Sequence, residues 1–121
     1  MKNISIFQAK IESQQRAICI EQQVEYVPAQ AALKSGFALS TKGLQPMNGL
    51  RHPPTGDTTG WYIWCGEHFS ESPGFFAPLH TSHIYEEYPE LTKLLGLPPG
   101  YRFLIADAYL DIWYDASLLN V

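Results

Sequence analysis

Residues 49–64 read Gly49-Leu50-Arg51-His52-Pro53-Pro54-Thr55-Gly56-Asp57-Thr58-Thr59-Gly60-Trp61-Tyr62-Ile63-Trp64, and the reading of this stretch decides the fold. A turn-rich loop with an Arg-His pair at its head runs into an aromatic strand. Pro53 and Pro54 fix φ, whereas Gly56 and Gly60 admit positive φ. A loop specified this closely holds Arg51 and His52 against the sheet that Trp61–Cys65 enters. Trp61-Tyr62-Ile63-Trp64-Cys65 is aromatic and β-branched, bounded by glycines and apolar on both faces. It is expected at the centre of the sheet. No nucleophile, phosphate loop or metal cage accompanies it, which favours recognition over catalysis.

Toward the N-terminus, Gly36–Ser40 reads as a short strand, with Lys42-Gly43 and Pro46-Met47-Asn48-Gly49 as turn signals. Residues 8–25 read as a helix. Ile11, Ile18 and Val24, with Ala17 close by, fall near one stripe among helix-favouring Gln, Glu and Arg. Ala17-Ile18-Cys19-Ile20 also suits a strand. Tyr26-Val27-Pro28 closes the element, because the residue before Pro avoids the α region.

Toward the C-terminus, residues 66–79 read as an irregular loop. Thr81 or Ser82 caps a helix, and Pro89 opens another that runs to Leu95 and stops at Gly96. Tyr101–Ala106 and Tyr109–Tyr114 form a hairpin around Asp107-Ala108. Leu110, Ile112 and Tyr114 alternate with Asp111, Trp113 and Asp115. The expectation is one small α+β domain over residues 1–121. It has a mainly antiparallel sheet, an N-terminal helix and a helical segment near 81–96.

The chain has 121 residues, enough for one domain with a sizeable core, and it is 45% hydrophobic and 17% charged. The aromatic share is 13%, with three Trp and seven Tyr, residues favoured as interface anchors. No segment approaches the ~20 apolar residues of a membrane span. Met1–Phe7 lacks a sustained apolar run and a cleavage site, so a cytoplasmic protein with Cys19 and Cys65 reduced is expected. The net charge of −4 is uneven: six basic and three acidic residues up to Arg51, then two basic and nine acidic. An acidic second half argues against nucleic acid and suits a basic protein surface. A solvated acidic face that keeps the protein soluble is the plainer reading.

The candidate chemistry is sparse. His80 and His83 are three apart, as are Cys65 and His68, but no Cys-x-x-Cys or His-Glu-x-x-His is present. No metal and no cofactor are expected. Cys65 lies in an apolar strand, where a free Cys behaves as a small buried hydrophobe. Glu86, Glu87 and Glu90 read first as a solvated helix face. Arg51 and His52, with Asp57 and Trp61, form either a structural clasp or an anion site. The structural role is preferred, with Arg51 paired to Asp57 or to a C-terminal Asp.

A family pattern overlies these readings. Asn48-Gly49-Leu50-Arg51-His52-Pro53-Pro54 is followed by Thr59-Gly60-Trp61-Tyr62-Ile63-Trp64-x-Gly66-Glu67. Next come Phe75-Phe76-x-Pro78-Leu79-His80, Pro89-Glu90 and Leu95-Gly96-Leu97-Pro98-Pro99-Gly100-Tyr101-Arg102-Phe103-Leu104. Asp111-Ile112-Trp113-Tyr114-Asp115-x-Ser117-Leu118-Leu119 closes the series. Over roughly residues 36–121 the chain resembles bacterial immunity proteins of the thirty-third immunity family of polymorphic toxin systems, and the related domains of unknown function. The resemblance implies a non-enzymatic cytosolic α+β protein that binds and neutralises a cognate toxin by occluding its active site or substrate surface. No catalytic residue is carried over. The contacts expected on a basic toxin are Glu86, Glu87, Glu90, Asp111 and Trp113. The alternative is a small-ligand or anion-binding module built on Arg51 and His52. Oligomeric state is not legible.

Overall fold

A side-chain cap at one end and a left-handed residue at the other set the limits of the first helix. The computed structural model describes residues 5–121; Met1–Ile4, part of the segment weighed above as a leader, lie outside the described residues. Helix α1 spans Ile6–Gln22. The Ser5 hydroxyl accepts from the Gln8 amide at 3.1 Å, and the Gln8 side chain accepts from the Ser5 amide at 3.3 Å. That reciprocal pair satisfies two otherwise orphaned donors. Gln23 turns left-handed at φ 58°, so the helix ends before the expected residue 25. Ile11, Gln15 and Cys19 recur every fourth residue and are buried, whereas Ala17 is exposed. The buried stripe therefore lies to one side of the expected one, and it includes a glutamine.

Six strands follow: β1 (Lys34–Phe37), β2 (Met47–Arg51), β3 (Thr58–Cys65), β4 (Ala77–His80), β5 (Tyr101–Ala106) and β6 (Tyr109–Tyr114). Their order across the sheet is β4-β1-β3-β2-β5-β6. Only the β1–β3 pair is parallel. The domain is α+β, and β3 lies inside the sheet as its apolar sequence requires. Helices α2 (Thr81–Glu87) and α3 (Pro89–Thr92) complete it.

Three local expectations are corrected. Met47–Arg51, read as a turn leading into a loop, is a strand paired on both edges, with β3 and with β5. Gly49 is there because the Phe103 ring lies where its Cβ would stand, not because the chain turns. The strand expected to reach Ser40 stops at Phe37 and gives way to a 3-10 turn at Leu39–Thr41. Residues 66–79 end in a strand, β4, rather than remaining irregular throughout.

Alternation sends Trp61, Ile63 and Cys65 to one face of β3 and Tyr62 and Trp64 to the other. The first face packs with Phe37 and Phe103 beneath Ile11, Cys19, Ile84, Leu91, Leu94 and Leu95. The second carries a smaller cluster of Ala38, Leu50, Trp64 and Leu118, with Phe75 and Phe76 laid against it. One face is thus roofed by helices. The other is covered only in part, by a loop and the C-terminal turn.

Candidate functional site

Arg51 closes β2 and points into the helix-covered side, where it is almost fully buried. Its Nε donates to the Thr59 carbonyl at 2.9 Å. Nη1 donates to Val27 at 2.6 Å and Leu97 at 2.8 Å, and Nη2 to Pro28 at 3.3 Å. The guanidinium also lies over the buried Trp61 ring, 5.6 Å from its centroid. No carboxylate takes part. Asp57, the partner expected from the sequence, instead pairs with Lys34 at 3.4 Å, and Asp115 pairs with Arg102 at 3.3 Å. A cation without a counter-ion is held here by carbonyl dipoles, and burial pulls its pKa down to about 10. It remains charged near neutrality. Arg51 ties the segment after α1 to β3 and to the turn before β5. With most of its donors engaged, it offers little to an external anion.

His52, one residue on, faces the opposite side of the sheet. Its Nδ1 lies 2.8 Å from the Leu118 carbonyl, which can only accept, so Nδ1 carries the proton. The ring meets Tyr62 edge-on at 5.5 Å between centroids. Both border a pocket of about 440 Å³ walled by Leu50, Phe69 and Phe76, with Thr55 and Glu71 at its rim. The sequence pair Arg51-His52 is therefore split between the two faces.

The strand register builds two rows across the less covered face. Tyr62, Leu50, Arg102 and Trp113 succeed one another on β3, β2, β5 and β6. Trp64, Asn48, Leu104 and Asp111 do the same beside them. At the β3 end Phe69 and Phe76 cover Trp64, with ring centroids 5.0 and 6.2 Å from it. At the β6 end nothing comparable lies over the rows, and Trp113 is 37% exposed with Arg102 stacked 5.5 Å from its centroid. Bonds from the Ser117 hydroxyl and amide, and then the pairing with Arg102, hold the Asp115 carboxyl below its ordinary pKa.

Of the expected contact residues, Asp111 and Trp113 share this face. Glu86, Glu87 and Glu90 are exposed but belong to α2 and α3, and α2 packs beside β4 at the far edge of the sheet. The fold does not gather the five into one patch. Tyr109, 59% exposed on the same face of β6, joins Trp113 instead, while Tyr114, 52% exposed, lies on the opposite face against Tyr101. The sequence carried no signal for this exposure, because the edge position of β6 follows from the order of all six strands.

The thiols do not form a reactive centre. Cys19 and Cys65 are free and buried, and burial raises both pKa values. A nucleophile requires the reverse. Among the described residues no three His, Cys, Asp or Glu side chains group as a metal site, and no helix is long and apolar enough to cross a membrane. The His80 and His83 rings lie 6.1 Å apart.

No curated protein and no solved structure matches the chain significantly. The model of the Imm33-like domain family matches residues 14–115, which include α1 from its third turn, every strand and both following helices. The chain belongs to the Imm33-like family.

Proposed function

We propose that this protein binds a cognate toxin through the exposed β5–β6 end of the sheet and blocks it by occlusion, without catalysis of its own. Family membership supports an immunity role. The observation that carries the choice of surface is the exposure of Tyr109 and Trp113 on the same face of β6 as Asp111. Aromatic side chains are costly to leave in water, and they are the usual anchors of tight interfaces. Asp111 and Asp107 have no ion-pair partner among the described residues, so they are available to a basic surface. Carboxylates raise the encounter rate, while the desolvated aromatic sets the lifetime of the complex.

The test is binding kinetics with the catalytically inactivated product of the neighbouring toxin gene. Trp113→Ala is expected to keep the fold and speed dissociation by about tenfold or more, as loss of an interface anchor does. Asp107→Lys with Asp111→Lys is expected to slow association, most at low salt. Unchanged kinetics in both variants would move the contact surface elsewhere.

A second reading, a small-ligand module, draws on the pocket beside His52 and Tyr62. In that reading Arg51 serves the fold and the pocket alone serves the ligand.

A further inference from the structure

Among the described residues, strand β6 has one strand neighbour, β5, and no strand on its other edge. The hairpin register fixes which backbone groups lie on that edge. Tyr109 is paired with Ala106 across the two-residue turn, and the Asp115 amide bonds the Gly100 carbonyl at 2.7 Å. In an antiparallel ladder, hydrogen-bonded and non-bonded pairs alternate. Tyr109, Asp111 and Trp113 therefore direct their N–H and C=O groups at β5. Leu110, Ile112 and Tyr114 direct theirs outward, with no strand to meet them.

The two edges of the sheet differ. At the other edge β4 is four residues long, contains Pro78 and leads straight into α2. Short length and proline both discourage strand addition. β6 is six residues long and has neither proline nor lysine.

We infer that β6 is a strand-addition edge, and that its occupant is a toxin segment alternating basic and apolar residues. The inference rests on the toxin-binding reading above. The alternation follows from the two faces of β6. An added strand continues the rows of the sheet, so every second side chain falls beside Tyr109, Asp111 and Trp113 on the less covered face. The others fall beside Leu110, Ile112 and Tyr114. Cross-strand neighbours prefer opposite charge in the first set and apolar surface in the second. Arg102 is already matched by Asp115, leaving Asp111 and the adjacent Asp107 as the unmatched charges of this hairpin. A second copy of the chain would bring to this edge a strand with no basic residue to set opposite Asp111, and its own unmatched Asp107 and Asp111 beside it.

Two probes test this: a short peptide alternating lysine and valine, and its glutamate–valine counterpart. The lysine peptide is expected to slow amide exchange at Leu110, Ile112 and Tyr114 and to leave Tyr109, Asp111 and Trp113 unchanged. The glutamate peptide is expected to do neither, and Asp111→Lys should exchange the two preferences. Leu110→Pro removes an outward N–H without touching the β5 ladder, so it is compared with Leu110→Ala. The expected further loss in affinity is about tenfold, the weight of roughly one net hydrogen bond. Tyr114→Pro against Tyr114→Ala repeats the comparison should Leu110→Pro unfold.

Equal binding by the proline and alanine variants, or no protection of the outward amides by the lysine peptide, overturns the inference. A concentration-dependent dimer abolished by Leu110→Pro also overturns it, by making a second copy the occupant. The inactivated product of the neighbouring toxin gene separates the two levels. If that product binds but protects other amides, the edge is wrong and the toxin reading stands. If it does not bind, the toxin reading fails while the peptides still judge the edge.

Discussion

Replacing Arg51 by methionine removes a buried cation and keeps most of its length. Four carbonyl oxygens, those of Val27, Pro28, Thr59 and Leu97, then lose their donor. Hydrogen bonds to a charged group contribute about 1.5–3 kcal/mol each, so simple addition gives about 6–12 kcal/mol. That sum overstates the effect, because the guanidinium itself is costly to bury, by several kcal/mol. A net loss of about 3–5 kcal/mol is expected, the range for breaking a buried charged network. Unfolding entropy for a chain of this length is ~0.25 kcal/mol per degree, so Tm should fall by about 12–20 °C. Arg51→Lys keeps the charge but concentrates its donors on one atom, which cannot reach three separate segments. It should recover only part of the loss. Differential scanning fluorimetry and urea titration of the three proteins measure this. If Arg51→Met melts within a few degrees of the parent, the carbonyl clasp does not hold these segments together and the argument fails.

Gly60→Ala should destabilise far more than Gly56→Ala, although both positions have positive φ, at 89° and 57°. At Gly56 a Cβ meets nothing within 4 Å, so only backbone strain of about 1–3 kcal/mol applies. At Gly60 the Cβ also collides with the His52 carbonyl oxygen, and two variants that melt alike would refute this account. Tyr85 taken alone lowers stability with rising pH between about 10 and 12, because burial pushes its pKa from its ordinary 10 up to about 12. In that window the unfolded phenol loses its proton and the folded one keeps it, a slope of up to about 1.4 kcal/mol per pH unit. Arg51, depressed by burial to about 10, contributes an opposite slope of similar size over the same window, since the unfolded chain holds that proton longer, so the two nearly cancel in the parent. Tyr85→Phe should therefore lose stability at neutral pH, through its bonds to Gln15 and the Ala29 carbonyl, yet regain stability relative to the parent as pH rises from about 10 to 12. A stability difference between Tyr85→Phe and the parent that stays constant across this window would refute the assignment.

Local chemistry by itself determined the elements whose signals are local. The hairpin at 101–114 was legible because strand alternation and a two-residue turn are properties of contiguous residues. The same holds for β3, whose apolar run on both faces requires an interior position, whereas the Ser5 capping box that starts α1 two residues before the expected residue 8 was not read. Tertiary structure alone decided what depends on distant neighbours. Gly49 reads as a turn until the Phe103 ring is seen to occupy its missing side chain. Arg51 reads as half of an ion pair, because a sequence displays carboxylates but not the carbonyls that loops from residues 27 and 97 bring to one point. Gln15 reads as a surface residue, yet it bonds the Tyr85 hydroxyl at 3.1 Å and the Thr92 carbonyl at 2.9 Å inside the core. The acidic residues read as one patch because they are close in sequence. Strand order sends Asp111 to one edge of the sheet and α2, with Glu86 and Glu87, to the other. Side-chain alternation is written residue by residue in the chain, but the edge on which a strand finishes is set only when every other strand has found its neighbour.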